Sequence, residues 1–91
     1  MNLLQYLVGA SVGFDVNATG VRQLSILYNG ADYSYGVSMG AVAGIQSRMS
    51  ATTSMVMTAG DYVQASVWQN SGGALNVGVL YEHLWMIDIG P

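Results

Sequence analysis

From Tyr6 to Val16 the apolar side chains fall on every second residue: Tyr6, Val8, Ala10, Val12, Phe14 and Val16. Gly9, Ser11, Gly13 and Asp15 hold alternate places between them. A strand sends successive side chains to opposite faces, so this period of two predicts a half-buried β-strand. Asn17-Ala18-Thr19-Gly20 then interrupts the run with turn chemistry, since Asn tolerates positive φ and Gly accepts it freely. Alternation resumes at Leu24, Ile26 and Tyr28, with Gln23 and Ser25 opposed, and Asn29-Gly30 ends the limb with a strong turn pair. The pattern predicts a hairpin, Tyr6 to Gly30, around which the chain is organised.

Downstream, Asp32 to Gly44 is rich in Gly and Ser and reads as a loop or short irregular strand, with Tyr33 and Tyr35 projecting to one side if it is extended. Tyrosines in such a loop offer large contact area at low entropic cost. Ile45, Met49, Ala51, Met55 and Met57 share a parity against Gln46, Arg48, Ser50, Thr52 and Ser54, which predicts a strand or strand pair with a bulge or bend near Ala51–Thr53. Its methionines are expected in the core. Gly60 and Asp61 form a turn, and Tyr62–Gln69 is a strand with Val63, Ala65 and Val67 on one face and Trp68 on the other. Asn70-Ser71-Gly72-Gly73 is a loop. The last run places Leu75, Val77, Val79, Tyr81, His83, Trp85, Ile87 and Ile89 on one parity, while Leu80, Leu84 and Met86 are apolar on the other. A strand apolar on both faces is expected in the middle of a sheet or assembly. No window keeps a helical period, and six or more short strands between Gly, Asn and Asp turns predict a single all-β sandwich over residues 1–91, with 1–5 as a short lead.

Composition sharpens this picture. Only 8% of the 91 residues are charged, where about 25% is usual, yet 52% are hydrophobic, and lysine is absent. A lone subunit would have few charges with which to stay soluble, so sister subunits are expected to cover part of the apolar excess. A net charge of −3 with two separated arginines argues against nucleic acid. No apolar run approaches the ~20 residues of a membrane helix. The first residues lack the positive n-region of a signal peptide and fit a strand better. With no cysteine there is no disulfide framework or thiolate metal site.

The stretch ASVGFDVNATGVRQLSILYNG, together with AGDYVQASVWQNSGGALNV and the terminal LWMIDIG, resembles the C1q/TNF-like jelly-roll domains of bacteriophage tail-fibre and other virion proteins. The resemblance spans most of Tyr6 to Gly90 and includes no catalytic motif. It implies a jelly-roll β-sandwich whose closing strand lies near a subunit axis, and therefore a homotrimer contacting through Tyr81, His83, Trp85, Ile87 and Ile89. Members of this kind usually carry a strand or two before the position of Tyr6, where only Met1 to Gln5 stand here. The expected fold therefore lacks its first strand or strands, and a bare edge should invite another chain.

The chemistry carried by single residues is sparse. A hydrolase needs a nucleophile, a base and an orienting group, and His83 is the only histidine. Asp15, Asp32, Asp61, Glu82 and Asp88 show neither Ca²⁺-loop nor glycosidase spacing. Asn17, Gly20, Asn29, Gly30, Gly60 and Asp61 read as structural turn residues, which also accounts for the glycosylation-type triplet Asn17-Ala18-Thr19. Arg22 is expected at the surface or between subunits, for instance paired with Asp15. No enzyme activity, metal or cofactor is expected. The leading expectation is a virion structural protein (tail-fibre head, baseplate or capsid decoration subunit) that is located on the particle and binds other virion proteins. The alternative is a host receptor- or carbohydrate-binding module using Tyr33, Tyr35 and Trp68.

Overall fold

The computed structural model describes residues 4–77 and 82–90, and of residues 32–35 the main chain alone. Six strands follow in order: β1 (Leu4–Phe14), β2 (Val21–Tyr28), β3 (Ala31–Gly40), β4 (Ser47–Met57), β5 (Val63–Gln69) and β6 (His83–Gly90). They form two three-stranded antiparallel sheets, β4-β1-β6 and β3-β2-β5, packed face to face. The all-β class and the sandwich are as the alternation predicts.

The pairing is not. β1 and β2 do not form a hairpin: β1 lies at the centre of one sheet and β2 at the centre of the other. The connection through Asn17 and Gly20 crosses between the layers. As a hairpin, the two limbs would present their apolar faces side by side and still need a covering layer. As an arch they bury each other, with Val8, Ala10, Val12 and Phe14 facing Leu24 and Ile26. Met49, Ala51, Met55 and Met57 of β4 complete this core, so the methionines are filler as expected. Each large side chain buried here is worth about 1.5–3 kcal/mol.

The turn residues behave as their chemistry demands. Asn29 (φ 52°) and Gly30 (φ 84°) make the tight β2–β3 hairpin. Gly20 has φ 86° and lies against Asn70, whose side-chain oxygen accepts the Val21 N–H at 2.6 Å.

Further sequence expectations are decided or corrected by the strand register. Of the two alternatives for the Gly/Ser-rich stretch after Gly30, loop or short irregular strand, the structure has the strand, the ten-residue β3; opposite Ile26 and Leu27 its partners jump from Tyr35 to Asp32, a bulge that absorbs the extra residues. No bulge occurs at Ala51–Thr53, because β4 pairs with β1 without a break from Met57 to Ser47. Ile45 is exposed on the β3–β4 connection and is not part of β4. Finally, the run from Leu75 is not one described strand: Val77 makes an isolated bridge to Phe14, and β6 begins at His83. Within the described sheet β6 is an edge strand, exposed along nearly its whole length, and not a middle one.

Candidate functional site

β6 pairs with β1 in a register that places Trp85 opposite Gly9, Ile87 opposite Leu7 and His83 opposite Ser11. Opposed residues of an antiparallel pair share a face. His83, Trp85 and Ile87 therefore form one row on the solvent side of the sheet, and Ile89 follows at a register shift that leaves it without an opposed partner on β1. Leu84 and Met86 point to the core side beside Ala10 and Val8. Trp85, Ile87, Ile89, Leu84 and Met86 are each 40–53% exposed. Contiguous apolar surface of this kind marks an interaction site in a soluble protein. Tyr81, expected in the same row, lies outside the described residues.

The Trp85 indole is held over Gly9. A Cβ at that glycine would fall within the ring, so the absent side chain is what lets the ring lie flat on the central strand. The same face carries a polar end, where His83, Ser11 and Ser50 stand in cross-strand succession and Arg48 follows two residues from Ser50. These side chains, with Val12 and Met49, line a depression of ≈ 270 Å³.

The proposed adhesive residues are dispersed. Trp68 is half exposed on the solvent face of the other sheet, opposite Gln23 on β2. Tyr33 and Tyr35 lie on β3, with side chains outside the description. Trp68 thus sits on the far side of the sandwich from the β6 row.

Two clusters carry more of the structure than their sequence suggested. Asp61 lies in the turn between β4 and β5, where Gly60 has φ 94° and the Asp61 N–H meets the Thr58 carbonyl at 3.1 Å. Its carboxylate accepts the Thr58 N–H at 2.8 Å, the Tyr28 hydroxyl at 2.7 Å and the Asn29 side-chain amide at 3.1 Å. Asn29 in turn accepts the Tyr62 N–H at 2.9 Å. Asp61 is thus the turn residue anticipated, and it also ties the β2–β3 hairpin to the end of β4. These bonds, the Thr58 main-chain donor first and then Tyr28 and Asn29, lower its pKa from an ordinary 3.8 to about 2. Because the folded value is depressed, the contribution is whole above pH ~4 and disappears as pH falls through about 2. Asp61→Asn is expected to flatten the stability profile between those limits, measured by urea melts at stepped pH. An undiminished acid slope would discount the carboxylate.

Arg22 departs from expectation. It is fully buried in the core, not at the surface. Its guanidinium donates to the carbonyls of Thr19 at 2.7 Å and Asn17 at 3.0 Å, and lies 5.9 Å from the centre of the Phe14 ring. Asp15 instead accepts the Val16 N–H with its own carboxylate. Arg22 Nε is buried with no hydrogen-bond partner. The alternation at Leu24 and Ile26, extended back two residues, would have placed Arg22 inward, but its charge argued the other way.

Among the described residues, no group of three or more His, Asp or Glu side chains could hold a metal ion, and no helix is long and apolar enough to cross a membrane. No family model, no curated protein and no solved structure matches the chain.

Proposed function

We propose that this chain is a non-catalytic structural subunit that assembles with copies of itself, as a trimer on a virus particle, where it contacts other virion proteins. The observation that carries this reading is β6, apolar on both faces and exposed, in a chain with only 8% charged residues. A strand of that character is stable in water only when something covers it. The resemblance to C1q/TNF-like jelly rolls of phage fibres supports three-fold packing through His83, Trp85, Ile87 and Ile89. On this reading the sandwich is a jelly roll short of its opening strand.

Native mass spectrometry tests the assembly: the wild type should give a three-copy species. Ile87→Glu, which puts a charge into the row, should shift the midpoint of assembly by at least tenfold in concentration. Equal assembly by both proteins would refute the face.

A second reading, a glycan-binding module, draws support from half-exposed Trp68 beside Gln23, since aromatic faces stack well on apolar ring faces. A glycan array separates the two: competable binding lost in Trp68→Ala, with assembly intact, would favour recognition.

A further inference from the structure

The two flanks of the sandwich differ. At the β3–β4 flank the sheets approach each other, and Met49, Met55 and Met57 are buried. At the β5–β6 flank they scarcely meet. Leu84 and Met86 of β6 point to the core side yet are each 46% exposed. Val67 of β5, opposite buried Leu24, is 40% exposed. Between the two strands opens a cleft of ≈ 320 Å³, whose walls include Val12, Leu24, Ala65, Val67 and Leu84. It is the continuation of the core, cut off at the edge.

Among the described residues, both strands bordering it are sheet edges. Proteins usually blunt such edges with lysine, proline or an inward charge. The chain has no lysine, neither strand contains proline, and β5 carries no charge. The one formal charge on β6 is Asp88 near its far end, where its carboxylate accepts the Gly90 N–H; Glu82, the residue before β6, lines the cleft at the other end of the strand.

We infer that this flank docks against the same flank of a second copy, about a two-fold axis perpendicular to both sheets. That operation sets β6 antiparallel to its own copy and β5 antiparallel to its own copy. Both sheets then continue at once, giving six strands over six around a single core. A lone strand from another protein could extend one edge but would leave the other bare, and this argues for the second copy. Leu84, Met86, Val67 and the edge-side halves of Trp85 and Ile87 present on the order of 400 Å² per copy. Two copies would therefore bury roughly 800 Å² of side chain, the small end for a protein contact, and pairing the main chains of both edges must supply the rest. The inference rests on the self-association proposed above but uses the core-facing side and outer edge of β6, and overlaps the solvent-side row only at the edges of Trp85 and Ile87.

Cross-linking tests it, because a chain without cysteine gives only intermolecular disulfides from a single engineered one. Opposed residues of an antiparallel pair have Cα atoms about 4.5–5.5 Å apart, within disulfide reach. An antiparallel self-pair opposes only one combination, so one of Leu84→Cys alone, Met86→Cys alone and the two mixed should give more than half covalent dimer under mild oxidation, and the combination that does so fixes the register. Val56→Cys, exposed on the opposite edge strand β4, serves as the control and should give less than a tenth. Cross-linking no greater than in the control in all three would overturn the two-fold. Native mass spectrometry of Val67→Asp supplies an independent reading: even-numbered species should vanish, and their persistence would also overturn it. Trimers surviving in that variant leave the three-fold proposal standing, whereas dimers without trimers in the wild type would sink the three-fold reading and keep the two-fold.

Discussion

Arg22→Ala is expected to cost about 3–5 kcal/mol, the range for emptying a large buried site together with its hydrogen bonds. In a domain whose whole stability is of order 5–15 kcal/mol, that leaves a substantial unfolded fraction. The loss has two parts. One is the void beside Phe14, where the guanidinium now lies 5.9 Å from the ring centre. The other is the arch from β1 to β2, whose Asn17 and Thr19 carbonyls are both anchored by the same side chain. Arg22→Met separates them. Methionine refills most of the volume and removes a buried charge that has no carboxylate beside it, while the two carbonyls, in a largely exposed turn, turn to water. Its cost should stay near 1–2 kcal/mol. Urea denaturation of the two variants measures both, and equal losses would mean that packing plays no separate part.

Gly9→Val should act on the other sheet. The new side chain would occupy the space of the Trp85 indole, so the ring must lift from β1 or the strands must part. Overpacking of this kind costs about 1–3 kcal/mol. The larger effect is expected on assembly, because lifting Trp85 reshapes the row that His83 and Ile87 share with it. With Trp68→Phe as background, Trp85 is the only remaining tryptophan. Its emission should move to the red in Gly9→Val, and the assembled species should fall at least tenfold at fixed concentration. An unchanged spectrum with unchanged assembly would remove Trp85 from the contact.

Face assignments were legible wherever the two sides of a strand differ in polarity. β1 and β4 are of this kind, and each shows the parity that its sequence carries; β5 keeps its parity in the register, with Val67 opposite Leu24, although Val67 stays partly exposed. Pairing was not legible. A six-residue connection between two half-buried strands looks the same whether it folds back within one sheet or arches between two; the choice is made by which arrangement buries Phe14 and Ile26 together. β3 was legible only as a loop or short irregular strand because glycine lowers strand propensity, yet Gly36 sits where a Cβ would press on Ser25 Oγ at 3.0 Å and the Leu24 carbonyl at 3.1 Å. β6 was read as central because both its faces are apolar. A strand waiting for another chain carries that same signature, and only the sheet order tells the two apart. Arg22 was misplaced because charge outweighed parity, although main-chain carbonyls can hold a guanidinium without any carboxylate.

The central claim is that the exposed ribbon of β6 is covered by copies of the same chain. Light scattering on the size-exclusion peak of the unmodified protein at micromolar concentration tests it most directly. The account predicts a mass that is a whole multiple, two or greater, of 9.6 kDa. A single monodisperse species of 9.6 kDa, unchanged on concentration, would contradict it.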